Sequence, residues 1–324
     1  MDLDGCRTRR CRLLVLGVAV LGLLCAAAVL GVEHLRRRAA VADEAQRCAG
    51  AIGTLDLVQV IAQLTAVSRL PALGLAASGV ESQAALDVLR AGLGADAVYR
   101  LDATGLVTLC CDHPTRDRFL DHDFSFRPYV RQALAGEAAV FAGLGVSTRE
   151  RGIYICVPAA GGALAVKLGL SRIDHLLAQP GPDRLLLTPE GVVLAASRDA
   201  WRFAVTRPLT AHEQARIAAS RQFPGLELRP LPIATGILHT ETEVPLDGAL
   251  SGWRMRVMDL RPPAWWAALL AGLAGSLVGA AVVLLHAALH RRRLLQVQVA
   301  EARQALAAAG DRLRQVLDLL SDPA

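Results

Sequence analysis

The sequence predicts an α+β protein in which a long helix carries two small antiparallel-sheet domains between two membrane-spanning helices. Two apolar runs, 13–32 and 264–285, contain no charged residue, and each is long enough to cross about 30 Å of hydrocarbon as a helix. A helical pattern follows the first run, and a hairpin signal occurs twice before the second run. The segment between the runs is too long to be a loop, so we expect it to fold on one face of the membrane while both tails lie on the other.

The charge distribution favours a membrane over nucleic acid as the partner. The net charge is +5, but the arginines gather beside the spans, at 7–12, 36–38 and 291–293. Because domains this long translocate largely regardless of flanking charge, we expect the segment between the spans to lie outside the membrane and both tails to be cytoplasmic. A cleaved signal peptide is the alternative interpretation of the first span.

Apolar residues at three- and four-residue steps predict a long helix from 39 to about 73, followed by a second helix at 80–92. A hairpin signal then occurs twice, with a four-residue turn that ends in Gly105 in the first copy and in Gly191 in the second. Each copy is later followed by a second strand pair. The predicted strands are 98–101, 106–109, 153–159 and 163–170 in the first domain, and 185–187, 192–195, 237–244 and 253–260 in the second.

These elements divide the chain into seven expected segments. They are a cytoplasmic N-terminus (1–12), a first transmembrane helix (13–32), a stalk and connecting helix (33–95), a first antiparallel-sheet domain (96–180), a second antiparallel-sheet domain (181–263), a second transmembrane helix (264–286) and a cytoplasmic coiled coil (287–324).

The seven cysteines do not have the spacing of a metal site, and no cofactor is expected. Buried small residues or one disulfide are the interpretations left open for Cys48, Cys110, Cys111 and Cys156.

Lysine and arginine together number 35, and only one of them, Lys167, is a lysine. This suggests that a compact ammonium is required there, although chance is the alternative. If Gly161 and Gly162 form a two-residue turn, Lys167 pairs with Cys156 and shares a sheet face with Tyr154, opposite the leucine-rich core face. That face is either solvated or the floor of a polar site.

Further polar groups precede this hairpin in the sequence. Arg127 is followed by proline, which confines it to extended backbone, and Tyr129 directly precedes the short helix predicted at 130–135. Ser147 and Thr148 supply hydroxyls. One arginine, one lysine, two tyrosine hydroxyls and a Ser-Thr pair suit a small ligand with two carboxylates.

Five short motifs resemble the periplasmic sensor region of C4-dicarboxylate sensor histidine kinases, a double Cache (PAS-like) family. They are Phe124-Ser125-Phe126-Arg127-Pro128-Tyr129, Gln132-Ala133-Leu134-Ala135-Gly136, Arg151-Gly152-Ile153-Tyr154, Val166-Lys167 and Asp199-Ala200-Trp201-Arg202-Phe203. The resemblance covers most of 35–300. It implies a bacterial inner-membrane protein whose sensor segment is periplasmic or extracellular, with a membrane-distal Cache/PAS-like ligand-binding domain (96–180) and a membrane-proximal Cache/PAS-like domain (181–263). The implied ligand site in the distal domain is formed by Arg127, Ser147, Tyr154 and Lys167, with Tyr129 and Thr148. The chain departs from the family at Ile153 and at Cys110-Cys111.

Beyond the second span, apolar residues alternate steps of four and three, which predicts a parallel coiled-coil homodimer. The seam consists of Leu295, Val299, Ala302, Leu306, Ala309, Leu313, Val316 and Leu320. The phosphoacceptor histidine and ATP-binding boxes of the family are not found in these 324 residues, so no enzymatic activity is expected of the chain as given, which could be a truncated kinase or a stand-alone receptor.

Two function classes therefore remain. One is a signalling input module that acts through a separate kinase or response regulator. The alternative is a membrane-anchored solute-binding or transport-accessory protein, which would have no need for a cytoplasmic seam.

Overall fold

A computed structural model describes the backbone of residues 3–53, 57–69, 80–111, 119–233 and 239–320, with side chains described from 13 to 310 apart from the gaps and 80–81. The chain divides into two compact units. One unit is Arg36–Pro262, and the other combines Met1–Leu35 with Pro263–Ala324.

Helices and strands follow the predicted order. The helices are α1 (Leu3–Gly53), α2 (Leu57–Val67), α3 (Val80–Leu93), α4 (Pro128–Leu134), α5 (Ser171–Leu177), α6 (Ala211–Ala219) and α7 (Trp265–Leu320). The strands are β1 (Ala97–Asp102), β2 (Val107–Cys111), β3 (Ala139–Leu144), β4 (Arg151–Ala159), β5 (Gly162–Gly169), β6 (Asp183–Leu187), β7 (Val193–Ala196), β8 (Thr240–Pro245) and β9 (Arg254–Asp259). Predicted helix residues 54–56 and 70–73, and predicted strand residues 237 and 238, lie outside the described residues.

Two antiparallel sheets confirm the predicted fold class. The first has the order β2-β1-β5-β4-β3 and the second the order β7-β6-β9-β8, so four strands follow the same path in each. Both sheets begin with a hairpin whose turn ends in a glycine at positive φ, 92° for Gly105 and 85° for Gly191.

The turn between β4 and β5 differs from the prediction. Ala159 pairs with Gly162, so the two turn residues are Ala160 and Gly161, and the prediction of Gly161-Gly162 was wrong. Gly161 adopts the positive φ of 76° that the turn requires. Gly162 instead belongs to β5, where a Cβ atom would collide with the carbonyl of Leu101 on β1.

The corrected turn changes the partner of Lys167. This residue pairs with Tyr154 and not with Cys156. Because the register moves by two residues, an even number, both side chains stay on the predicted face.

The first sheet is buried on both faces. One face carries the aliphatic residues of β4 and β5, including Ile155 and Val166, and shares a core with α1, α2 and the second sheet. The other face carries Tyr154 and Ala165 and lies beneath α4 and an aromatic cluster. The face that holds Lys167 is therefore buried beneath other parts of the chain and is not a solvated surface; we call this covered layer of side chains the cleft.

In the described residues, two helices, α1 and α7, contain a stretch long and apolar enough to cross a membrane. Small residues line their contact, since a Cβ atom on Gly22 would collide with Ser276 and one on Gly275 would press on Cys25. The carboxylate of Glu33 accepts the backbone N–H of Ala264 at 3.2 Å, which caps the start of α7.

Candidate functional site

Arg127 lies directly before α4 and is only 2% exposed. Its backbone is extended, with φ −74° and ψ 130°, as the following proline requires. Nη1 donates to the carbonyls of Ser220 at 3.3 Å and Arg221 at 3.0 Å, and Nη2 donates to the carbonyl of Leu144 at 2.9 Å.

Three aromatic rings surround this guanidinium. Its Cζ atom lies 5.5 Å from the ring centroid of Phe126, 5.4 Å from Phe141 and 5.9 Å from Tyr154. Tyr129 stacks on Tyr154 with centroids 5.4 Å apart. The charge is therefore held among π faces and carbonyl oxygens, which stabilise a cation that has little access to water.

Tyr129 also bonds to a residue that sequence reasoning did not select. Its hydroxyl lies 2.9 Å from that of Tyr99 on β1, and both rings are buried. Burial raises the pKa of both phenols well above the usual value, and for Tyr99 the neighbouring Tyr129 adds to the shift. The two hydroxyls stay neutral and can donate as well as accept hydrogen bonds.

Lys167 is 1% exposed and points into the same cleft. Its Nζ atom donates to Thr148 Oγ1 at 3.3 Å, and it lies 3.5 Å from Glu150 Oε2 and 3.9 Å from Asp96 Oδ2. The ammonium therefore has three partners on two segments, the turn between β3 and β4 and the residue before β1.

Tyr154 connects the two cations. It pairs with Lys167 across the strands and offers its ring to Arg127. A Cβ atom on Gly145 would lie 3.2 Å from the Tyr154 hydroxyl and against Thr148 Oγ1, so the turn after β3 brings Thr148 beside Tyr154.

Of the six residues selected from the sequence, five meet in this cleft: Arg127, Tyr129, Thr148, Tyr154 and Lys167. Ser147 lies in the same turn, but its side chain is exposed, and the contacts that join the other five do not include it.

Four further residues of the cleft were missed: Tyr99, Phe141, Glu150 and Asp96. The alternation of β1 places Tyr99 on the face of Lys167 only once β1 is known to pair with β5, a non-local contact that the sequence did not indicate. Glu150 lies between Arg149 and Arg151, and nothing in the sequence distinguished it from an ordinary surface carboxylate.

The described cysteines, Cys25, Cys48, Cys110, Cys111 and Cys156, form no disulfide. Cys156 lies on β4 beside the cleft, where burial raises the pKa of its thiol. It serves as a small buried residue.

Comparison with known proteins identifies relatives for part of the chain, although no family model matches it. The C4-dicarboxylate transport sensor protein DctB of Pseudomonas aeruginosa is 35% identical over 152 residues, 45% of this chain and 25% of that protein. DctB of Rhizobium meliloti is 28% identical over 172 residues, 52% of this chain and 28% of that protein. The chain thus matches about a quarter of the length of these curated relatives.

Solved structures with the same fold include the sensor domain of the V. cholerae histidine kinase DctB, at 20% identity and a TM-score of 0.50, covering 73% of this chain and 98% of that domain. An extracellular ligand-binding receptor from Desulfohalobium retbaense has a TM-score of 0.50 at 12% identity, covering 67% of this chain and 40% of that one. By sequence and by fold, this chain resembles the sensor region of DctB-type sensor proteins.

Proposed function

We propose that this chain is the input part of a transmembrane sensor whose first sheet binds a small dicarboxylate. The observation that carries the proposal is the pair of buried cations, Arg127 and Lys167, placed on either side of Tyr154 in an aromatic-lined cleft. The carbonyls that hold Arg127 carry no full charge, and the two carboxylates near Lys167 are more than 40% exposed, so a ligand with two anionic groups would pair with both buried cations.

The neutral groups of the cleft suit the same ligand. Thr148 lies beside Lys167, and Tyr154 lies next to both cations, so their hydroxyls can donate to a carboxylate oxygen that neither cation reaches. The names of the DctB relatives favour a C4-dicarboxylate such as succinate, malate or fumarate within this class.

We further propose the arrangement around the membrane. The segment between the apolar helices would be periplasmic, in a distal domain at 96–180 and a proximal domain at 181–263, and both tails would be cytoplasmic. Two copies would pair along α7 and act on a kinase or response regulator. The support is the apolar character of both helices and the length of the folded segment between them.

The test is ligand-induced stabilisation of the full chain in nanodiscs, measured by thermal melting with succinate, malate, fumarate, citrate and several amino acids. We expect a dicarboxylate to raise the melting temperature. Lys167→Ala should weaken its binding about ten- to a hundredfold, because a charge-assisted bond is lost.

Arg131→Ala is the matched control, because Arg131 is an exposed cation on α4. Stabilisation by amino acids alone, or equal stabilisation of wild type and Lys167→Ala, would contradict the dicarboxylate assignment.

A further inference from the structure

The segment 220–222, which follows α6, lies along the outer edge of the first sheet. The amide of Leu144 donates to the carbonyl of Gln222 at 2.8 Å, and Gln222 Nε2 donates to the carbonyl of Ala142 at 2.9 Å. Gln222 is buried, and a Cβ atom on Gly143 would lie only 2.7 Å from its carbonyl oxygen. The segment therefore covers the edge strand β3 at close range, and Gly143 permits that approach.

The same segment holds Arg127. Two of its carbonyls, those of Ser220 and Arg221, accept both bonds of Nη1 at the C-terminal end of α6, where partial negative charge accumulates. Within the described residues, these bonds and the one from Nη2 leave the Nε–H and one Nη2–H for another acceptor. A ligand carboxylate can take those donors while the carbonyls keep theirs.

On its other side α6 is joined to the second sheet. Arg216 Nη2 lies 2.7 Å from Oε1 of Glu190, which belongs to the turn between β6 and β7. A chain of contacts therefore runs from Arg127 through the segment 220–222 and the nine-residue helix α6 to the turn between β6 and β7.

Two strained backbone conformations occur where the segment 220–222 meets the first sheet. Of the four non-glycine residues with positive φ in the described chain, Arg149 (57°) and Arg221 (46°) lie here. Arg149 donates to the carbonyl of Pro224, and the guanidinium of Arg221 lies 4.6 Å from the ring centroid of Phe126. Such conformations persist only where surrounding contacts enforce them, and they concentrate at functional sites.

We propose that the segment 220–222 is a positioning element of the ligand site, which holds Arg127 ready for a carboxylate and carries occupancy of the cleft through α6 into the second sheet. The inference rests on the proposed ligand site. Coupling between two sites is reciprocal. A change that weakens the contacts of this segment should therefore weaken ligand binding, and ligand binding should stabilise those contacts by the same free energy.

The first arm of the test needs no ligand. Hydrogen exchange of the full chain in nanodiscs is followed at the amides of Leu144 and Gln222 in Arg127→Lys and in Arg131→Lys as control. Lysine keeps the charge but cannot replace three directed bonds, so we expect exchange at least about tenfold faster in Arg127→Lys alone. Exchange equal to that of the wild type would overturn the proposal.

The second arm measures succinate binding in Gln222→Glu, which removes the donor to Ala142 without changing a residue of the cleft. We expect the Kd to rise about five- to tenfold, and to stay within twofold in Gln214→Glu, an exposed position on α6. An unchanged Kd in Gln222→Glu would overturn the proposal.

The two arms separate the possible failures. If succinate and the other dicarboxylates do not bind the wild type, the proposed ligand is wrong. The exchange result for Arg127→Lys still decides whether the segment holds Arg127.

Discussion

The ammonium of Lys167 faces two carboxylates of its own chain, and the proposed anionic ligand would have to compete with them. Glu150 and Asp96 lie 3.5 and 3.9 Å away, and their side chains are 42% and 44% exposed, whereas that of Lys167 is 2% exposed. The anions can therefore swing into solvent while the cation stays in place. A ligand carboxylate would replace part of an existing ion pair, so only the difference between the two interactions contributes to its affinity.

Removing one of these charges should therefore favour an anionic ligand. We predict that Glu150→Gln lowers the Kd for succinate about three- to tenfold, because the ligand no longer competes with a carboxylate and is no longer repelled by it. Isothermal titration of the full chain provides the measurement, with the exposed Glu137→Gln as control. Weaker binding in Glu150→Gln would mean that Glu150 holds Lys167 in position and does not compete for it.

At the scale of elements, a buried ion pair joins α1 to the second sheet. Arg184 Nε on β6 donates to Glu44 Oε1 at 2.6 Å, and Nη1 of the same guanidinium donates to the carbonyls of Leu177 and Gln179 after α5. Burial alone would raise the pKa of Glu44, but the hydrogen bond and charge of Arg184, with help from Arg47, hold it below its usual value. The side chain of Arg184, a residue of the second sheet, therefore bonds both to the stalk helix α1 and to the segment that connects the two sheets.

Breaking this pair should destabilise the folded unit strongly. We predict that Glu44→Ala lowers the free energy of unfolding by about 3–5 kcal/mol, because Arg184 is left charged and buried. Asp43→Ala is the control, since its pair with Arg47 is exposed and is worth at most about 1 kcal/mol. Urea denaturation of the full chain measures the free energy of unfolding of both variants. Equal losses of stability in the two would contradict a structural role for the buried pair of Glu44 and Arg184.

The same pair predicts a direction for acid sensitivity. A carboxyl whose pKa is lowered by folding contributes stability that is present above its unfolded value, 4.5, and is lost as the pH falls through the folded value. The difference in stability between wild type and Glu44→Ala should therefore shrink below about pH 4.5.

Local patterns predicted most of the fold. Both hairpins are encoded within a few residues by alternation and by a glycine at the end of each turn, and Arg127-Pro128 determined the backbone that begins α4. The strand β3, the pairing of β1 with β5 and the carbonyls that hold Arg127 depend on contacts between distant segments. For Arg127, two of the three acceptors lie more than 90 residues away, and all three are backbone carbonyls, which carry no side-chain signal.

At the scale of the whole molecule, α7 continues well past the apolar run as a helix with an apolar stripe that its own unit does not cover. Leu295, Val299 and Leu306 are 53%, 50% and 77% exposed, and they occupy the predicted seam. Surface helices normally bury such a stripe, which is consistent with the proposal that two copies of the chain pair along α7. The remainder of the seam, Leu313, Val316 and Leu320, lies where side chains are not described.

Cysteine cross-linking tests both the seam and its response to ligand. In a background without the native cysteines, we predict that Leu306→Cys forms disulfide-linked dimers in membranes several-fold faster than Gln304→Cys, which lies on the opposite side of a heptad. Succinate should change the Leu306→Cys rate at least about twofold, because a sensor can act only by shifting its helices between two states. Lys167→Ala should abolish that change. If cross-linking is efficient but its rate does not change with any ligand that the cleft binds, a membrane-anchored binding protein without signalling output is favoured instead. Dimerisation alone does not require ligand binding to be coupled to the cytoplasmic helices.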